Sequence, residues 1–275
     1  MKTKFTILLA FSCLTSLFAQ VKESEIFTRD KMGQPKFIKF NETKVSDDPQ
    51  AIKIFLKSIF HSEKDTEFKV IKERQTDKLG FKSVRLQQYY KGVKVEFSTF
   101  NATSKNGELK SISGNYANIK DMDVNPKLSE QEALQFALKH IDAKEYFWEN
   151  QDNELMLKAK ENDESATYYP KGELVIFNLE ATSTSPSLSY KFKIDALYPY
   201  SSDRVYVNAN TGKIELRNSL MRFILGTADT RYSGQRTIET TQLASGEYSL
   251  IDNTRGNGIR VFNLRGQGVY YFGYV

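Results

Sequence analysis

The sequence predicts an α+β fold, with two small helix-plus-antiparallel-sheet domains in tandem followed by an incomplete β segment. Two stretches, 43–116 and 128–218, each begin with an amphipathic helix pattern and continue with strand-like runs. Aromatic residues make up 13% of the chain and lie mostly in those runs, where such side chains are favoured. The length suffices for two modest domains with ordinary hydrophobic cores.

The N-terminal residues have the pattern of a secretory signal peptide. Lys2 and Lys4 precede an apolar stretch that starts at Phe5, and Ala19 offers a small residue for cleavage. The stretch is shorter than the roughly 20 apolar residues that cross a membrane. We therefore expect residues 1–19 to be removed, and the mature protein to be secreted without attachment to a membrane.

The chain's single cysteine, Cys13, lies inside this segment. Lipid attachment at Cys13 is the alternative to simple cleavage, although the bulky Phe11 fits a lipoprotein signal poorly. Cleavage after Ala19 would leave a mature chain with no thiol, no disulfide and no cysteine ligand for a metal.

The charge of the chain is too mild to indicate a nucleic-acid partner. Loss of Lys2 and Lys4 lowers the formal net charge from +5 to +3. Basic residues alternate with acidic ones, as in the run of Lys72, Glu73 and Arg74, so the sequence predicts no basic patch. We expect no nucleic acid among the partners.

Two stretches are predicted to be connections. Residues 20–42 are polar and carry Gly33 and Pro35, which suggests an extended arm. The segment 117–127 contains two aspartates, an asparagine and Pro126, and it is predicted to be the linker between the two domains.

The first domain, 43–116, is predicted to be a helix packed on an antiparallel meander. Asp48 can cap a helix whose first residue is Pro49. Strand-like runs follow at 68–76, 81–90, 93–103 and 109–116, and a glycine in each break favours a tight reversal. The apolar residues at helical spacing are Ile52, Phe55, Leu56, Ile59 and Phe60.

The second domain, 128–218, is predicted to begin with a helix capped by Ser129, with Glu132 completing a capping box. A turn at 210–212 is predicted to form a terminal hairpin. The buried face of the helix is predicted at Leu134, Ala137, Leu138 and Ile141, and the strands at 154–160, 173–179, 189–196, 204–208 and 213–217.

Residues that could carry catalysis are few. The two histidines, His61 and His140, have no second histidine four residues on and no adjacent glutamate, so neither has the spacing of a helical zinc site. A serine triad would also need a histidine base, and no nucleophile motif accompanies either one. The sequence therefore predicts no catalytic, cofactor-binding or metal-binding residue in this chain.

Three segments resemble parts of secreted zinc metallopeptidases of the thermolysin family. The run from Gln87 to Glu96, with 113–116, resembles the fungalysin/thermolysin propeptide domain. The hairpin at 205–214 resembles the end of a PepSY domain, a domain that occurs in the same pro-regions. A third segment, after the strand-like 248–250, resembles the first strands of the mature enzyme, although a simple β-turn also explains it. Its signature residues are Asp252, Asn253, Thr254, Arg255, Gly256, Asn257 and Gly258.

The resemblance implies a secreted pro-region that acts as an intramolecular chaperone and inhibitor of a cognate thermolysin-like catalytic domain. It also implies that 230–275 is the start of that domain, and that zinc and calcium are bound in a full-length family member. The sequence contains no His-Glu-x-x-His motif, and 266–275 departs from the family pattern. We therefore expect a truncated precursor that is inactive as it stands. A free-standing secreted PepSY-type protease inhibitor or binding protein is the alternative.

The processing junction is predicted at 219–229. Large apolar side chains in this segment are of the kind that thermolysin-like enzymes accept just after the cut, although a buried strand explains them equally well. They are Leu220, Met221, Phe223, Ile224 and Leu225.

Overall fold

The structure, a computed structural model, describes residues 24–31, 33–40, 46–179, 186–230, 232, 234–242, 248–252 and 259–261. The helices are α1 (Pro49–Ile59), α2 (Glu130–Ile141) and α3 (Gln151–Glu161), with a 3-10 turn at Phe147–Glu149. The strands are β1 (Ser24–Arg29), β2 (Pro35–Phe40), β3 (Thr66–Arg74), β4 (Phe81–Tyr90), β5 (Val93–Lys105), β6 (Glu108–Gly114), β7 (Glu145–Tyr146), β8 (Glu173–Phe177), β9 (Ser187–Tyr198), β10 (Ser201–Asn208), β11 (Ile214–Ser219), β12 (Arg222–Thr230), β13 (Gly234–Gln242), β14 (Tyr248–Asp252) and β15 (Ile259–Val261).

The expected combination of helices and strands is confirmed: helices accompany a large mixed sheet of eleven strands, and β12 to β15 form a second sheet. The chain divides into two compact units. Unit 1 comprises 1–129, 174–190 and 208–211, and unit 2 comprises the remainder. These boundaries differ from the predicted domains: most of β8, from the predicted second domain, pairs with β5 inside unit 1. The tandem arrangement therefore stays a prediction.

Helix α1 supplies one side of the core of unit 1, as its sequence predicts. Asp48 caps it, because its side chain accepts a hydrogen bond from the Ala51 N–H at 3.2 Å, and Pro49 is its first residue. Its apolar face is buried on the sheet, where aromatic rings meet edge to face, as Phe40 and Phe55 do at 5.2 Å between centroids. The principal core residues are Ile38, Phe40, Ile52, Phe55, Leu56, Phe68, Val84, Leu86, Phe100, Leu109 and Ile112.

The meander β3 to β6 is confirmed, and its turns have the predicted chemistry. Lys91 and Gly92 have φ of +46° and +80°, and Asn106 and Gly107 have φ of +54° and +83°. Two successive residues with positive φ are typical of the type I′ turn, whose twist matches that of the strands that it joins.

The segment predicted as an extended arm, 20–42, instead contributes two strands. β1 and β2 pair antiparallel, and β2 also pairs with β6, which brings Ile38 and Phe40 into the core. Gly33, with φ of +79°, lies in the turn between the strands. The prediction of an arm is wrong because Gly33 and Pro35 do not mark irregular chain: Gly33 lies in the turn, and Pro35 begins β2.

In unit 2, helix α2 has its buried face at Ala133, Leu134, Ala137 and Ile141, and Leu138 is half-buried. The strands β10 and β11 form the predicted terminal hairpin. Gly212 is required near its turn for two reasons: its φ is +73°, and a Cβ there would lie 2.6 Å from the Phe136 ring.

One strand prediction in unit 2 is wrong. Residues 154–160 lie in helix α3, which begins after Asn150, whose side chain accepts hydrogen bonds from the N–H groups of Asp152 and Asn153. No residue of this helix is fully buried, and Leu155 and Met156 are exposed. The helix is therefore favoured by its cap and by good helix formers rather than by an apolar stripe, which is why hydrophobic periodicity did not reveal it.

The predicted linker, 117–127, is buried at its start. Ala117 and Ile119 are only 2% and 3% exposed, whereas Lys120, Asp121 and most later residues are accessible to solvent. The first residues of the segment thus continue the packing of unit 1.

Candidate functional site

A wide bulge in β5 is the main irregularity of the meander. Gln87 is in register with Thr99 and Tyr89 with Lys94, so four residues of β5, 95–98, lie opposite Gln88 alone. Phe97 has φ of +64° within this bulge, a conformation that bulky side chains rarely adopt.

The Gln87 side chain holds the bulge in place. Its buried Nε2 atom donates to the carbonyl of Val95 at 2.5 Å, to that of Ser98 at 3.0 Å and to that of Gln88 at 3.1 Å. The amide group has two N–H donors for these three carbonyls, so at least one N–H is shared between two of them. The side chain thus connects β4 to two residues of the bulge in β5.

The bulge allows a parallel strand to join the meander. Lys94 and Val95 pair with Val175 and Ile176 of β8, and the Phe97 ring meets that of Phe177 edge to face at 5.8 Å. No local sequence signal marks this contact, because glutamine and phenylalanine are ordinary residues inside strand-like runs.

Gln88 fixes the chain where it leaves the meander. Its side chain accepts from the Ala117 N–H at 3.0 Å and donates to the Ala117 carbonyl at 2.8 Å, with both residues buried. Next to this contact, Tyr116 stacks on Phe60 with ring centroids 4.4 Å apart. Burial raises the pKa of the Tyr116 hydroxyl above its ordinary value, so it stays protonated at neutral pH.

The predicted junction begins between two sheets. Leu220 and Met221 are half-buried and lie between β11 and β12. The Leu220 N–H donates to the carbonyl of Ser202 at 2.8 Å, and the Met221 N–H donates to Ser219 Oγ at 3.2 Å. These two residues are therefore outside the strand ladders, each held by a single backbone donor contact.

The other predicted junction residues belong to β12. This strand pairs with β13 alone among the described strands, so it is an edge of the second sheet. The register pairs are Phe223 with Thr241, Ile224 with Thr240, and Leu225 with Glu239. The structure thus separates the five junction residues into a two-residue connection and an edge strand.

Of the signature turn, the structure describes Asp252, the last residue of β14, which is in register with Ile259 of β15. Residues 253–258 lie outside the described residues. The antiparallel pairing of β14 with β15 is what a reversal between them requires.

His61 and His140 are exposed, and they belong to different units of the chain. His61 follows α1 with φ of +46°, and His140 lies in the last turn of α2. Within the described part of the chain, no three His, Cys, Asp or Glu side chains form a group that could hold a metal ion. No helix among the described residues is long and apolar enough to cross a membrane.

A groove of about 440 Å³ in unit 2 is lined by α3, the loop after it, and β9. Its most buried acid, Asp195, accepts from Ser202 Oγ at 2.5 Å and from Lys193 Nζ at 2.8 Å. Burial raises the pKa of Tyr168, which also lines the groove. Both oxygens of Asp195 are therefore engaged by neighbouring side chains.

Comparison with known proteins finds a matching family model and several similar proteins. Residues 66–116 match the family model of the Fungalysin/Thermolysin Propeptide Motif. The chain is 26% identical over 200 residues to neutral protease B of Bacillus subtilis (strain 168), which covers 72% of this chain and 33% of that protein. It is 25% identical over 285 residues to thermolysin of Alicyclobacillus acidocaldarius subsp. acidocaldarius, which covers 95% of this chain and 49% of that protein.

A third relative is the thermostable neutral protease NprT of Geobacillus stearothermophilus, 27% identical over 218 residues, 71% of this chain and 36% of that protein. The chain thus spans between a third and a half of the length of these relatives. Among solved structures, the Bacillus megaterium YpeB C-terminal domain aligns with 69% of this chain and 74% of that one, at 16% identity and a TM-score of 0.31.

The matched motif, 66–116, corresponds to β3, β4, β5 and β6 with the chain as far as Tyr116. The resemblance to a propeptide domain is confirmed for these residues, and the chain is homologous to thermolysin and neutral proteases. The bulge, Gln87 and Gln88 lie inside the motif, and Ala117, the partner of Gln88, directly follows it.

Proposed function

We propose that this chain is the pro-region of a secreted thermolysin-like zinc metalloendopeptidase, which assists the folding of the catalytic domain and then inhibits it. The propeptide motif at 66–116 carries this proposal. The similarity to thermolysin and neutral proteases along most of the chain supports it.

Both roles follow from one physical property, which is binding to the native catalytic domain. A partner that binds the folded state and not the unfolded state stabilises it by about 2.7 kcal/mol at a concentration 100 times its Kd. A covalently tethered partner acts at an effective concentration of about millimolar for a short flexible linker. The same contact blocks the enzyme for as long as it persists.

The proposal includes export, with residues 1–19 as the signal peptide, and it assigns 230–275 to the start of the catalytic domain, with the signature turn at 252–258 inside it. It also places zinc and calcium in the catalytic domain.

We predict that the purified chain from Gln20 to Val275 has no peptidase activity and contains no stoichiometric zinc, because it lacks the three protein ligands that a catalytic zinc requires. Elemental analysis after dialysis, together with a peptidase assay, checks this prediction. One tightly bound zinc per chain would contradict it.

The inhibitory role is tested by adding the chain to mature neutral protease B, thermolysin and NprT in assays with a small fluorogenic peptide. We expect saturable inhibition of at least one enzyme. Electrophoresis of the same samples distinguishes an inhibitor, which stays intact while activity is lost, from a competing substrate, which is digested. No inhibition of any of the three would contradict the proposal.

The processing role leads to a prediction at the junction. We expect the inhibited enzyme to cut slowly on the N-terminal side of Leu220 or Met221, since these two residues lie outside the ladders. The double variant L220D/M221D should slow this cut at least about tenfold, because a difference of about 1.4 kcal/mol in transition-state binding has that effect.

The matched control is Leu79→Asp, which changes an exposed leucine in the turn between β3 and β4. This variant should be cut at the junction like the wild type. N-terminal sequencing of the products identifies the bond, and a first cut within β12 or elsewhere would remove Leu220 and Met221 from the proposed junction.

A further inference from the structure

The sheet of unit 1 has one face toward α1 and one face away from it. Residues in register on the outer face form two polar rows across β3, β4, β5 and β6. One row is Lys72, Arg85, Asn101 and Ser113, and the next is Arg74, Ser83, Thr103 and Ser111. We call the part of this face formed by Lys72, Arg74 and Arg85 the basic face.

The three cations of the basic face lie close together and are exposed. Lys72 is directly in register with Arg85, and Arg74 is two residues further along the same strand. Like charges directly opposite on neighbouring strands destabilise a sheet. The chain therefore keeps an electrostatically unfavourable pair at this position.

Acidic partners are available nearby but serve other lysines. Glu73 alternates to the other face, where it pairs with Lys82 at 2.9 Å, and Glu67 pairs with Lys69 at 3.7 Å. Among the described residues, the basic face has no such ion pair. Its charge is thus available to an external group.

The position of the cations shows whether they could serve only to protect the edge of the sheet. β3 pairs only with β4 among the described strands, and charged residues on such an edge commonly block pairing with other chains. That role explains Lys72 and Arg74, but Arg85 lies on β4, which has partners on both sides. The repulsion between Arg85 and Lys72 therefore needs another explanation.

We propose that the basic face docks onto a carboxylate-bearing surface of the thermolysin-like catalytic domain. This inference rests on the proposed function. The face carries two arginines, rows of hydroxyl and amide groups, and the half-exposed Ile71 beside them, which is the mixed composition of a protein interface. A polyanion needs a longer basic track, and the mild net charge of the chain does not provide one.

Docking of this kind acts mainly on the rate of association. Complementary charge steers two proteins together, and the effect falls as salt screens it. The basic face then explains how the propeptide engages the enzyme rapidly, before unfolded enzyme aggregates or active enzyme escapes inhibition.

The test compares two triple variants with the same net charge. K72Q/R74Q/R85Q removes the basic face, and K120Q/K139Q/K160Q removes three exposed lysines elsewhere. With neutral protease B, thermolysin and NprT, we expect the association rate constant of the first variant at low salt to be at least about tenfold below that of the wild type. This rate constant should also depend little on salt concentration. The control should match the wild type.

Folding of the first variant is checked by circular dichroism, and it should be at least as stable as the wild type because a repulsive pair is removed. Equal inhibition kinetics for both triple variants would overturn the inference and leave the proposed function intact. If the wild-type chain inhibits none of the three enzymes, both the inference and the proposed function are overturned.

Two other outcomes would also overturn the inference. In the first, K72Q/R74Q/R85Q aggregates while its monomeric fraction inhibits normally, which would assign the cations to edge protection. In the second, the variant loses retention on a heparin column but inhibits normally, which would assign them to an anionic polymer.

Discussion

Replacement of Phe100 by alanine is expected to lower the free energy of unfolding of the meander by about 3–5 kcal/mol. Phe100 is 1% exposed, and its ring lies 5.4 Å from that of Phe60 and 5.5 Å from that of Phe68. The substitution removes a buried ring from the centre of the propeptide motif and leaves a cavity between α1 and the sheet. We also expect the Phe100 variant to inhibit the thermolysin-like enzyme more weakly than the wild type does.

Hydrogen exchange of the β4 and β5 amides measures this effect locally, within unit 1 of a chain that has two compact units. Leu79→Ala is the control, since Leu79 is 73% exposed and should cost less than about 0.5 kcal/mol. Unchanged protection in the Phe100 variant would show that the ring is not part of a packed core.

The second large effect is expected for Gln88→Leu, which should lower the free energy of unfolding by about 2–6 kcal/mol. The substitution leaves both the N–H and the carbonyl of Ala117 buried without a partner, and each such group costs about 1–3 kcal/mol. Exchange of the Ala117 and Ile119 amides should accelerate most, because the chain leaving β6 loses its anchor.

Gln135→Leu is the matched control, because Gln135 is exposed on α2 and has no such role. Its effect should stay within about 0.5 kcal/mol. If the amides of Ala117 and Ile119 exchange at the same rate in the Gln88 and Gln135 variants, the contact between Gln88 and Ala117 contributes no net stability.

The elements predicted correctly are those with local signals. Asp48 and Pro49 mark the start of α1, and its apolar residues repeat at helical spacing. The glycines at 92 and 107 mark turns, because few other residues adopt their φ values. Each of these features depends on a few neighbouring residues, so a single sequence is enough to reveal it.

The features that were missed depend on contacts distant in sequence. β8 pairs with β5 across about 80 residues, next to the bulge that the Gln87 side chain holds. Helix α3 buries no residue completely, so its apolar pattern carried no period to detect. The arm became strands because β6 offers an edge to β2.

The candidate surfaces illustrate the same limit. Alternation of Lys72, Glu73 and Arg74 suggested that no basic patch exists, but strand geometry sends alternate side chains to opposite faces. A register shift between Val70 and Lys72 then brings Lys72 opposite Arg85. The sequence contains every charge of the basic face, but only strand pairing shows that the charges lie together.

The most direct test of the central claim, that this chain binds and stabilises a native thermolysin-like catalytic domain, is the refolding yield of mature thermolysin. The enzyme is unfolded in guanidinium chloride and diluted with an equimolar amount of the chain or of serum albumin, and activity is assayed after further dilution releases the inhibitor. We predict several-fold more active enzyme with the chain than with albumin. Equal yields, with no protection of the enzyme at any ratio of chain to enzyme, would contradict the proposed function.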